Sequence, residues 1–189
     1  IIQLMEKNRL SAHGIKWGVI IGLVYCILLA LRYYYGERNT IMFTLLTFCG
    51  FVVVMIILLV SGFRARKELG GFLELKDAFK VMFISVLIFE LFYALYNYIY
   101  LKYVNPDFFY HFRDATEDFL REAKQPQADI DRTLRSIDVD APKKMNVFDF
   151  LKTYFMWVAI SGIVAFLFAL IVKKKMDPFQ IQRDNFLQS

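Results

Sequence analysis

The sequence predicts an all-α, polytopic membrane protein: four transmembrane helices, with an amphipathic helical insert between the third and fourth. Three observations carry this. The 189 residues are 58% hydrophobic with mean hydropathy +0.43, above the roughly 45–50% apolar content of a soluble domain. The apolar excess is gathered into four blocks, as expected of helices sized to a hydrocarbon core. The basic residues flank those blocks rather than forming a separate patch. The net charge of +5 therefore reads as a membrane topology signal, and no nucleic-acid partner is expected.

The first span is expected over residues 14–35. Its apolar centre, residues 17–31, is short, but Lys16 and Arg32 can snorkel and Tyr33, Tyr34 and Tyr35 suit an interface. No small-residue cleavage site follows, so the segment is expected to be retained rather than removed as a signal peptide. Gly14, Gly18, Gly22, Cys26 and Ala30 recur every fourth residue. That spacing makes one small-residue helix face, suited to close approach by a helix of this chain or of a partner subunit. The second span, residues 41–63, is free of charge and long enough to cross about 30 Å. After it, Arg64, Arg66 and Lys67 stop the span and Gly70-Gly71 breaks the helix. Phe72, Leu75, Ala78 and Phe79 fall at helical spacing, predicting an interfacial lead-in before the chain turns inward.

The third span, residues 78–101, carries Glu90, the carboxylate set deepest in an apolar segment. It lies about 12 residues from either end, hence roughly 18 Å from water at 1.5 Å per residue. An ionised carboxylate there costs several kcal/mol, so Glu90 is expected to be neutral, paired or facing a polar cavity. Tyr93, Ala94 and Asn97 follow on nearly the same face. Tyr25 in the first span and Ser161 in the fourth are candidate partners at similar depth. Together Glu90, Tyr93, Asn97, Tyr25 and Ser161 form the expected intramembrane polar cluster.

Asn105-Pro106-Asp107 ends the third span, because Pro cannot continue a helix and Asp107 can cap the next. The insert occupies residues 105–146. Residues 107–125 read as an amphipathic helix with Phe108, Phe112, Ala115, Phe119 and Ala123 on one face. A second short helix is expected over residues 127–137, then a loop with Pro142. Asp114, Glu117, Asp118 and Glu122 are interleaved with Arg and have no His partner, so a solvated face is expected rather than a metal or acid–base site. The fourth span, residues 147–172, ends on Lys173-Lys174-Lys175. Its Ser161, Ala165 and Ala169 form a second small-residue stripe, expected to mate with the first. Residues 176–189 read as a loosely held tail.

Alternating the spans puts twelve Lys/Arg and six Asp/Glu on one side, and eleven of each on the other. By the positive-inside rule both termini are then cytoplasmic and the insert faces out. Cys26 and Cys49 lie in apolar segments, where thiols pack as small apolar groups. His13 and His111 fall on opposite sides, and no metal-ligand spacing exists. No metal, no cofactor and no catalytic residue is expected.

The run K-E-L-G-G-F-L-E-L-K-D-A-F-K, then an apolar helix, then Y-V-N-P-D-F resembles the domain of unknown function 4199 family, four-span membrane proteins of Bacteroidota. The resemblance covers nearly the whole chain. It implies a bacterial inner membrane and brings no catalytic residue. It also implies association with a polyprenyl-phosphate glycosyltransferase. Two functions are therefore open. One is a non-enzymatic accessory or scaffold subunit, bound to another integral or peripheral membrane protein or to itself. The alternative is a small proton-coupled transporter or channel-like protein built on Glu90, although no pair of broken helices in matching positions supports a transport path.

Overall fold

A computed structural model gives the structure. It describes residues 2–174, with side chains from Asn8 onward. The expected tail therefore lies outside the described residues, as does Lys175. Four helices are long and apolar enough to cross a membrane. They belong to α1 (Ile2–Gly36), α2 (Thr40–Glu68), α3 (Leu75–Ile99) and α7 (Val147–Val172). Between α3 and α7 the insert folds as α4 (Phe108–Glu122), α5 (Gln127–Arg135) and the single turn α6 (Ala141–Lys144). The fold is an all-α polytopic membrane protein.

Each boundary has a local cause. The Asn39 side chain accepts the Met42 N–H at 3.0 Å and so starts α2. Arg66 and Lys67 occupy its last turn, where cations offset the helix dipole. Gly70 and Gly71 then take φ of +77° and +92°, a left-handed region that suits glycine. α3 runs into a π-helical turn, Tyr100–Val104, in which the Asn105 N–H reaches the Tyr100 carbonyl at 2.8 Å. Asn146 and Asp149 form a capping box at the start of α7.

Of the lead-in, Leu75, Ala78 and Phe79 are helical as their spacing predicts, whereas Phe72 precedes the helix. α3 starts at Leu75, and the buried Leu73 pairs with Lys174 in an antiparallel bridge, 2.9 Å in both directions. Tying these strands together satisfies backbone groups that an open interfacial turn would leave to water. Phe72 instead lies under the Lys174 ammonium, 5.6 Å from its ring centre.

α3 is the hub. It touches all three other spans, and 44% of its apolar window is buried against 22–28% for the others. Both small-residue stripes serve it. Gly14, Gly18 and Gly22 pack on Val81, Ser85, Ile88 and Phe92 of α3. Ser85 Oγ donates to the Gly14 carbonyl at 2.9 Å, a bond that needs the backbones this close. The α7 face of Ser161, Ala165 and Ala169 is fully buried, with α3 as the main neighbour of α7. The expected mating of the two stripes is thus replaced: each meets α3, whose Val, Ser and Phe side chains fill the room that small residues leave. The glycine face of α1 is consumed inside the chain.

A buried histidine fastens α1 to α2. His13 Nε2 donates to the Ser61 carbonyl at 3.1 Å, and Nδ1 lies 2.9 Å from the Glu68 carboxyl. Since a carbonyl only accepts, it is Nε2 that carries the hydrogen in that bond.

Candidate functional site

Glu90 is buried between three spans. α3 points it at α7, where the Ser161 hydroxyl donates to its carboxyl. A cavity of about 30 Å³ lies beside the pair, lined by residues that include Tyr25, Val54, Phe89, Tyr93 and Trp157. That is the room of roughly one water molecule. Tyr25 stacks on Tyr93 with ring centres 5.3 Å apart, and Trp157 meets Tyr93 edge-on at 5.9 Å. The site is a small polar spot in a largely apolar shell.

Asn97 does not join Glu90. It turns to α1, where the Tyr33 hydroxyl donates to its side-chain oxygen, while its amide donates back to the Tyr93 carbonyl at 2.7 Å. Around it lies an aromatic cluster. Tyr33 stacks on Tyr100 at 4.5 Å and meets Phe108 edge-on at 4.9 Å. The Arg32 guanidinium lies 4.1 Å from the centre of the Phe43 ring, a cation–π contact. Its buried Nε has no partner among the described residues.

This cluster seats the insert. Phe108 is fully buried, and Phe112 packs on Phe43 at 4.7 Å. Thr116 continues the buried face, its hydroxyl 2.9 Å from that of Thr40 on α2. Phe119, expected on that face, is instead 37% exposed and lines a cleft beside the α1–α2 connection. Lys102 donates to the Met145 carbonyl and Asn105 to the Glu37 carboxylate. Within the insert Tyr110 donates to Asp140 at 2.6 Å, and Lys143 lies 3.3 Å from Asp107. The phenol's hydrogen bond holds Asp140 below the usual carboxylate range and raises Tyr110 in turn.

Between α4 and the α1–α2 connection lies an open cleft of about 520 Å³. Glu37, Asp114, Asp118 and Glu122 line it, with Arg38 and His111 among them. The expected solvated face of α4 is thus one wall of a concave, mostly acidic surface.

A family model described as protein of unknown function (DUF4199) matches residues 16–174. The chain belongs to the DUF4199 family. The match runs from the first span through the insert to the basic residues after α7, so in this DUF4199 protein it takes in both the Glu90 cluster and the cleft. No curated protein and no solved structure matches the chain.

Of the five residues expected in the polar cluster, the fold brings Glu90, Ser161, Tyr25 and Tyr93 together and leaves Asn97 two turns away. Sequence reasoning did not find Tyr33, Arg32 or the His13–Glu68 pair. Tyr33 and the His13–Glu68 pair depend on contacts 64 and 55 positions apart, and Arg32 on a ring in the next helix, all beyond local periodicity. The capping box at Asn146 did have a local signal, an Asn followed three residues on by an acid.

Proposed function

We propose that this DUF4199 chain is a non-catalytic accessory or scaffold subunit that binds another membrane protein through its insert. The insert carries the reading. It is a helical cap held on the bundle by Phe108, Thr116, Lys102 and Asn105. Its acidic side stands free over an open cleft. A concave, mostly acidic surface on a firmly seated element favours a partner bearing basic side chains. The partner implied by the family resemblance is a polyprenyl-phosphate glycosyltransferase. The reading predicts that Asp114→Lys with Asp118→Lys removes the co-purifying partner, leaving melting of the purified chain within about 1 °C because both side chains are exposed. An unchanged set of co-purifying proteins would end this proposal.

We further propose a bacterial inner membrane with both termini cytoplasmic. The charge asymmetry between the two ends supports this orientation. Thr116 is buried and unsuitable for labelling, whereas Arg132 and Lys67 are exposed. In a chain whose Cys26 and Cys49 are replaced by Ser, an impermeant maleimide added to intact spheroplasts should label Arg132→Cys and spare Lys67→Cys. The reverse pattern would invert the topology.

A second reading rests on the Glu90 cavity, which has room for one water beside a buried carboxyl. It makes the protein a proton-coupled carrier, which a proton flux through liposomes that is lost in Glu90→Gln would distinguish from a scaffold.

A further inference from the structure

Hydrogen-bond partners run short around the cavity beside Glu90. Glu90 is only 4% exposed, and the Ser161 hydroxyl donates to one of its carboxyl oxygens. The other oxygen has no hydrogen-bond partner among the described residues. In the neutral form expected at this depth, the carboxyl also carries a hydrogen that needs an acceptor.

Two phenols line the same cavity with similar deficits. The Tyr25 ring is held by its stack on Tyr93, but its hydroxyl has no hydrogen-bond partner among the described residues. It lies near enough to Glu90 for the two to interact electrostatically. The Tyr93 hydroxyl meets the Arg32 guanidinium, a group that only donates. Tyr93 therefore accepts there, and its own O–H hydrogen is left to find a partner elsewhere. Three polar groups thus surround a void of about 30 Å³. A void holds water when it exceeds roughly 10–15 Å³ and offers two to four polar partners. Both conditions are met. The end of a lipid chain would fill the volume but bond to none of the three, and a buried polar group without a partner costs more than ordering a water.

We infer that the cavity binds one ordered water molecule, held by the Glu90 carboxyl and the Tyr25 hydroxyl, with Tyr93 as third partner. The water ties Tyr25 of α1 to the Glu90–Ser161 pair of α3 and α7. Through Tyr93 it also reaches Arg32, and the Tyr93 carbonyl takes the Asn97 amide, which leads on to Tyr33. The Glu90 cluster and the aromatic cluster that seats the insert then form one polar network. The inference holds under either reading of the function, because a neutral carboxyl needs this partner whether or not its proton ever moves.

Water-edited solid-state NMR of the full chain in lipid bilayers tests it, with Glu and Val isotopically labelled and the Glu90 signal identified by its loss in Glu90→Gln. The Glu90 carboxyl should take up magnetisation from water protons well before the Val86 methyls, which are fully buried one turn away. A carboxyl as slow as Val86 overturns the inference. Val54 lines the cavity, and Val54→Ile adds one methyl group to it. This variant should slow Glu90 to the Val86 rate. Rapid transfer that survives it means water arrives by another route, which overturns the site. Ser161→Ala should leave the transfer in place, and losing it would trace the signal to hydroxyl protons and overturn the bound water. Tyr25→Phe should lower the melting temperature by about 3 °C, the shift expected for one hydrogen bond in a chain of this size. With Val54→Ile already present the water is gone, and Tyr25→Phe should then cost nothing. An equal cost in both backgrounds would remove Tyr25 from the site and overturn the inference.

Discussion

Gly18→Leu should unseat α1 from α3 and destabilise the protein by roughly 3 kcal/mol, the upper end of the usual range for over-packing. At Gly18 even a Cβ would come within 2.8 Å of the Ile88 Cβ, 3.0 Å of the Ser85 carbonyl oxygen and 3.1 Å of the Ser85 Cα. Two of these are backbone atoms and the third is fixed to backbone, so no rotamer change makes room. The helices must part, and the Ser85 bond to the Gly14 carbonyl one turn away goes with them. Gly50→Ala is the matched control. Its Cβ would meet only the Tyr25 ring edge at 3.6 Å and the Leu28 side chain at 3.9 Å. Without a clash, the gain in helix propensity of roughly 1 kcal/mol should leave it neutral or slightly stabilised. Thermal melting in one detergent compares the two. Equal melting of Gly18→Leu and parent would mean that the α1–α3 contact is looser than the geometry described above.

Glu90 carries the second large effect. Glu90→Leu deletes the acceptor of the Ser161 hydroxyl and should cost roughly 1–2 kcal/mol, as for interhelical hydrogen bonds between spans. Glu90→Gln keeps the size and an acceptor oxygen, so melting should stay close to the parent. For a scaffold both variants leave nothing else to measure, since the side chain is a structural hydrogen-bonding group. For a proton-coupled carrier Glu90→Gln removes the titrating group and abolishes function with the fold intact. We expect liposomes holding the parent protein and a pH-sensitive dye to show no proton flux above empty liposomes. A flux present in the parent and absent in Glu90→Gln would replace the scaffold reading with the carrier.

The spans were legible because the bilayer imposes a length and an apolar content that sequence displays directly. Residues 41–63 needed no tertiary information. Pro106 ended α3 for a reason visible in the residue itself. Glu90 and Ser161 could be paired by depth alone, since each lies near the middle of a span. The neighbour of each helix face was another matter. The stripes at Gly14, Gly18 and Gly22 and at Ala165 and Ala169 announce close approach without saying to what, and both chose α3. Asn97 shares a face with Glu90 in the helical register yet bonds to Tyr33, because two turns of rise separate it from the carboxyl. Periodicity at Phe72 and Leu75 could not reveal that Leu73 pairs with Lys174, about a hundred residues on.

The bond between Glu90 and Ser161 also has a consequence in time. The two residues are 71 positions apart, with the whole insert between them. While the chain is being made, α3 therefore enters the bilayer before the group that satisfies its carboxyl exists. During that interval Glu90 faces lipid, water or the insertion machinery, and a polar group at this depth is held in hydrocarbon only at a cost. Arrival of α7 supplies the Ser161 hydroxyl and removes that cost. The same bond that looks like a static packing detail in the finished protein thus marks completion, distinguishing a chain with its fourth span in place from one that stopped short.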